Sequence, residues 1–137
     1  MTSCIDGSVI YGNNAVAAAQ LRTFQGGKLA TSPGIVNPTL GITNRTYLPL
    51  SGDMCSATNA TSPTGYCFKA GDHRTSENLN LVSIQTTFNR EHNRIATQLA
   101  ALNPTWSDET LYQTARKIVI AFLQHITYNE WLPTSKI

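Results

Sequence analysis

The sequence predicts a mainly α chain whose helices are joined by a long irregular loop region. Apolar residues recur with helical period over two long stretches in the C-terminal half. Between about residues 25 and 70, Gly, Pro, Ser and Asn interrupt every attempt at periodicity. No alternating run long enough for a substantial strand occurs. With 137 residues and 41% hydrophobic side chains, the chain can bury a core.

An oxygen-rich opening, Thr2 to Ser8, precedes a short helical pattern that Asn13 or Asn14 can cap. Val16, Ala19, Leu21 and Phe24 supply its apolar positions. Gly26-Gly27, Ser32-Pro33-Gly34, Asn37-Pro38 and Ser51-Gly52-Asp53 then mark turns. A stretch this irregular in a compact domain is usually functional or wrapped over something. From about 79 to 102, Leu81, Ile84, Phe88, Ile95, Leu99 and Leu102 form one helical stripe, ended by Asn103-Pro104-Thr105. Ser107 caps the next helix, with Asp108 and Glu109 near the positive end of its dipole. Leu111, Ala115, Ile118, Phe122 and Ile126, with Val119 beside them, line its buried stripe, and Pro133 is expected to stop it.

Composition excludes several classes. Net charge is +2, and no basic run interleaves with aromatics, so a nucleic-acid partner has no electrostatic support. No apolar window approaches the roughly 20 residues that span a bilayer. No signal peptide is expected, because a polar motif begins at Thr2.

Cys55 and Cys67 bracket a run dense in Ser, Thr, Asn, Pro and Gly that cannot hold one shape unaided. A disulfide closing such a loop removes about 3 kcal/mol of unfolded-state freedom on the chain-entropy model; two buried thiols are the plainer alternative. N-glycan acceptor patterns fall at Asn44-Arg45-Thr46 and Asn59-Ala60-Thr61. Together these favour an oxidising, extracellular setting.

Three groups of residues carry chemistry. Thr2, the Cys4 carbonyl, Asp6 and Ser8 are hard oxygen donors at alternating positions, the type Ca²⁺ takes in larger sets. One carboxylate is too little charge to hold the ion, so a second acid must come from elsewhere; a turn capping the next helix is the bland reading. Arg74 offers a permanently charged fork three residues before Glu77. Such a cation stabilises charge developing on a leaving oxygen, although an ion pair decorating a helix start uses the same residues. Asp72 and Ser76 read as helix caps. His92 and His125 read as satisfied helix residues at core edges, and nothing makes His73 a ligand.

Four ordered motifs together resemble the animal haem peroxidase superfamily, the group of myeloperoxidase, lactoperoxidase and peroxinectins. They are Thr2-Ser3-Cys4-Ile5-Asp6-Gly7-Ser8 with Val9-Ile10-Tyr11-Gly12; Cys67-Phe68-Lys69-Ala70-Gly71-Asp72-His73-Arg74-Thr75-Ser76-Glu77; Arg90-Glu91-His92-Asn93-Arg94; and Ala115-Arg116-Lys117-Ile118-Val119 running to Gln124-His125-Ile126-Thr127-Tyr128. The resemblance covers essentially the whole chain, with residues 25–55 matching loosely.

The resemblance implies part of the animal haem peroxidase fold. It implies calcium at Thr2, Cys4 (carbonyl), Asp6 and Ser8, and a distal Arg74 above haem b that assists O–O cleavage of peroxide. Glu77 matches the glutamate esterified to a haem methyl, and Cys55 and Cys67 match a local disulfide. Asn78 stands where some members carry a methionine bonded to a haem vinyl, so at most an ester is expected here. The family's distal and proximal histidines match none of His73, His92 or His125. Residues 1–137 are therefore expected to be an internal fragment of one domain, its distal-side portion.

Three functions compete. A secreted haem peroxidase would reduce hydrogen peroxide and oxidise a small electron donor, the fragment alone being inactive. A peroxinectin-like adhesion protein would keep the fold with oxidation secondary. A haem-free, calcium-stabilised structural module is the third. Arg74 and Glu77 both being present favours the enzyme.

Overall fold

A computed structural model describes residues 2–34, 39, 45–54 and 66–135. After a bent opening, the one-turn helix α1 (Ser8–Tyr11) leads into α2 (Ala15–Gln20). Asn14 caps α2, its Oδ1 accepting from Ala17 N at 2.9 Å. Strand β1 (Ser32–Pro33) pairs antiparallel with β2 (Thr46–Tyr47), and β3 (Leu50–Met54) pairs with β4 (Tyr66–Phe68). These pairs are too short to have left an alternating pattern in the sequence. The long helices α3 (Leu79–Leu102) and α4 (Asp108–His125) pack together and dominate the molecule.

Helix α3 begins at Asn78, whose Oδ1 accepts from Leu81 N at 3.0 Å. Asp72 and Ser76, read from sequence as caps, lie upstream of that point and bond elsewhere. Ser107 caps α4 as expected, accepting from Thr110 N at 3.2 Å.

Beyond α4 the chain does not stop at Pro133. It passes into a π-helical stretch, Ile126–Trp131, then α5 (Leu132–Thr134), where Pro133 occupies the first turn. The helical run is continuous from Asp108 and ends at Thr134, one residue past Pro133.

Ile10, Tyr11, Leu21, Leu29, Ile95, Ala96, Tyr112, Ala115 and Val119 form the core, so α1 and the loop before β1 are clamped against α3 and α4. Gly27 makes the clamp possible. Its φ is +69°, and a Cβ there would stand 2.6 Å from both Leu111 Cβ and Tyr112 N. Its N–H donates to Asp108 Oδ1 at 2.6 Å, binding the loop to the start of α4. Arg22 adds a second tie, with Nη2 2.7 Å from Asp108 Oδ2, Nη1 2.6 Å from Glu109 Oε2, and its guanidinium 3.8 Å from the Tyr112 ring centre.

The apolar stripes are only partly buried. Ile95 is in the core, but Ile84 and Leu102 are 57% and 77% exposed. The buried face of α3 instead carries Gln85, Thr86, Asn89 and His92. In α4, Leu111, Ala115 and Val119 are buried, while Phe122 and Ile126 further along are exposed.

Candidate functional site

Residues 71–77 form a turn that hands the chain from β4 to α3. Gly71 permits its close approach to α1: a Cβ there would come within 2.2 Å of Ser8 O and 2.4 Å of Gly12 N. Asp72 N donates to Val9 O at 3.2 Å, so the turn is bonded directly to α1. Thr75 Oγ1 donates to Asp72 O and lies 2.6 Å from Gln85 Oε1, linking the turn to the buried face of α3. Ser76 Oγ accepts from Phe68 N at 2.9 Å.

Within this frame Asp72 grips Arg74. Oδ1 accepts from the Arg74 backbone N at 3.0 Å and from its Nε at 3.2 Å, and Oδ2 accepts from Nη2 at 2.9 Å. The guanidinium's hydrogen bonds, foremost, hold the Asp72 carboxyl below the usual carboxylate range against the opposing effect of burial. Arg74 is thus bound to Asp72 and not paired with Glu77 in the i,i+3 bridge that spacing permits. Glu77 and Asn78 are exposed. His73 points outward, its Nδ1 3.7 Å from Asp72 Oδ1.

The opening loop brings its predicted oxygens together. Thr2 Oγ1 lies 3.1 Å from Ser8 Oγ and 3.4 Å from Cys4 O, and Ser8 N donates to Asp6 Oδ1 at 3.0 Å. Hydrogen bonding from Thr2, foremost, and then from Ser8 lowers the Asp6 carboxyl against the desolvation that would raise it. These hydroxyl, carbonyl and carboxylate donors have the chemistry that Ca²⁺ prefers. Among the described residues, no group of three or more His, Cys, Asp and Glu is placed to hold a metal ion.

Cys4 is an exposed free thiol, leaving its carbonyl as the hard donor. Cys67 is disulfide-bonded. Its expected partner Cys55, and both expected glycan acceptors, Asn44 and Asn59, lie outside the described residues.

The Arg90–Arg94 motif is a set of anchors. His92 is completely buried at the centre of the core, not at its edge. Its Nε2 is 2.8 Å from Gly27 O, which can only accept, so Nε2 carries the proton and Nδ1 accepts from Tyr11 Oη at 2.9 Å. Burial pushes the imidazole down to about 4, keeping it neutral. Asn93 bonds both N and O of Leu29, at 2.7 and 3.0 Å, as another strand would. Arg90 Nε donates to Thr46 O at 2.7 Å. His125 is exposed, its Nε2 3.6 Å from Glu130 Oε1.

Sequence reasoning missed Asp72 as the partner of Arg74. The available signal was an acid two residues before an arginine after a glycine, the spacing of an Asx turn.

Comparison with known proteins places the chain in a family. The family described as animal haem peroxidase matches residues 1–135. Mouse myeloperoxidase is 46% identical over 138 residues, covering 97% of this chain and 18% of its own length. Chorion peroxidase of Drosophila melanogaster is 42% identical over 133 residues, covering 97% and 15%. Among solved structures, peroxidase A of Dictyostelium discoideum superposes with a TM-score of 0.80 at 34% identity, over 96% of this chain and 24% of that one. The chain belongs to the animal haem peroxidase family. It spans less than a fifth of the length of the curated relatives named here.

Proposed function

We propose that this chain supplies the distal-side portion of a secreted haem peroxidase that reduces hydrogen peroxide and oxidises a small donor. Family membership and the guanidinium of Arg74, partly exposed and held by buried Asp72, support the reading. Arg74 and Glu77 fit the edge of a bound macrocycle: one is a half-exposed cation on a rigid mount, the other an exposed carboxylate three residues on. Haem, when bound, supplies the redox chemistry on peroxide.

This chain's own residues then have separate tasks. Arg74 binds and polarises the peroxide, stabilising negative charge on its departing oxygen. Glu77 is the acid for an ester to the haem. Thr2, the Cys4 carbonyl, Asp6 and Ser8 hold calcium, with a second acid from outside the chain, and clamp the opening loop to the element bearing the distal histidine. A disulfide joining Cys55 to Cys67 and glycans at Asn44 and Asn59 suit an extracellular protein.

The carrying observation is the mounting of Arg74 on buried Asp72. In the full-length haem-loaded protein, Arg74→Ala should slow reaction with peroxide by more than about 100-fold while haem stays bound. Stopped-flow traces of the Soret band with an unchanged rate would reject the role of Arg74.

A further inference from the structure

We infer that Asp72 is a positioning residue whose carboxylate sets the plane and reach of the Arg74 guanidinium for reaction with peroxide. The inference rests on the reading of Arg74 given above and assigns it a dedicated mount.

The contact is a two-pronged fork: Oδ1 with Nε at 3.2 Å and Oδ2 with Nη2 at 2.9 Å. Two parallel bonds between planar groups fix the rotation of one about the other, which a single contact cannot do. The mount itself barely moves. The Asp72 side chain is 2% exposed, its amide is bonded to Val9 O, its carbonyl accepts from Thr75 Oγ1, and its Oδ1 also accepts from Arg74 N. Gly71, pressed against the backbone of Ser8 and Gly12, fixes where the turn begins.

Arg74, by contrast, is 43% exposed, and the Asp72 fork narrows the rotamers open to so long a side chain. Stability alone is a poor reason for the pair. Exposed ion pairs contribute little net stability, whereas a buried carboxylate is costly to desolvate. Holding the cation in one orientation before substrate arrives is a return that the ion pair can deliver.

Asp72→Asn separates the two roles. An amide keeps an oxygen for the Arg74 backbone N–H and preserves the turn, but it cannot accept both prongs of the fork. Arg74→Lys tests the same link from the other side, since an ammonium keeps the charge without the planar fork.

The full-length haem-loaded protein should be measured for its peroxide reaction rate and for cyanide affinity of the ferric haem, a non-turnover probe. Asp72→Asn should slow the peroxide reaction roughly 10- to 100-fold and weaken cyanide binding about tenfold. Arg74→Lys should fall into the same range. Combining Asp72→Asn with Arg74→Ala should be no slower than Arg74→Ala alone, within about twofold, because both remove one device. An unchanged or faster rate in Asp72→Asn, or losses that multiply in the double variant, overturns the inference while leaving Arg74 in its role. If Arg74→Ala alters neither rate nor cyanide affinity, the reading of Arg74 falls and this inference with it.

Discussion

Tyr11 Oη donates to His92 Nδ1 at 2.9 Å, joining two completely buried side chains that lie 81 residues apart in sequence. The other imidazole nitrogen donates to Gly27 O at 2.8 Å, so one histidine ties α1, α3 and the loop before β1 into a single body. Because α1 is bonded through Val9 O to Asp72, the same body sets the base on which Arg74 stands.

That histidine makes stability depend on pH. Its folded pKa is about 4, against an ordinary 6.5, so between those values the unfolded chain binds the extra proton. Stability from this site is complete above pH 6.5 and is lost as pH falls toward 4, by about 3 kcal/mol in all. Urea unfolding at pH 7 and pH 4.5 should show the pH-linked loss shrinking by about 2–3 kcal/mol in His92→Gln. Equal losses in variant and wild type would mean that His92 titrates normally.

Adjacent glycines should respond differently to alanine. Gly26 and Gly27 have φ of +61° and +69°, but a Cβ at Gly26 meets only Lys28 Cε at 4.0 Å, while at Gly27 it strikes helix α4. Gly26→Ala should cost about 1 kcal/mol from backbone strain alone. Gly27→Ala should cost roughly 1–3 kcal/mol more from overpacking. Thermal unfolding of the two variants side by side measures the difference; matching midpoints would contradict the packing described for Gly27.

The calcium reading makes a linkage prediction. With free Ca²⁺ at about 100 times its dissociation constant, the full-length protein should gain about 2.7 kcal/mol, and a chelator should remove it. Asp6→Asn takes away the loop's carboxylate and should abolish most of that calcium-dependent shift. A melting temperature indifferent to calcium in the wild type would rule the site out.

For Glu77, the test is chemical. Wild-type full-length protein should retain part of its haem through acidified organic extraction, and Glu77→Gln should release more of it. Complete release from the wild type would exclude an ester at Glu77.

Order along the chain was readable without coordinates. Asn14 and Ser107 are strong caps followed by helix formers, and Asn103-Pro104 is a strong stop, so local chemistry sufficed to place those helix ends. Family membership was likewise readable from four spaced motifs. The buried face of α3 was not. Gln85 and His92 are polar, and their burial depends on partners brought from elsewhere in the chain, Thr75 for one and Tyr11 and Gly27 for the other. Pro133 was legible as a stop to within a residue, since the helical run ends at Thr134, but the switch to a π-helical stretch at Ile126 left no local signal.

By itself, then, the sequence determined the helical class, the main helix ends and the presence of Arg74, Glu77 and the oxygen-rich loop, because each depends on neighbours within a few residues. Tertiary structure decided what Arg74 stands on, which histidine joins the core and how α1 meets the turn at Asp72. Those outcomes depend on groups far apart in the chain, and hydrogen-bond geometry exists only once folding has placed them in contact.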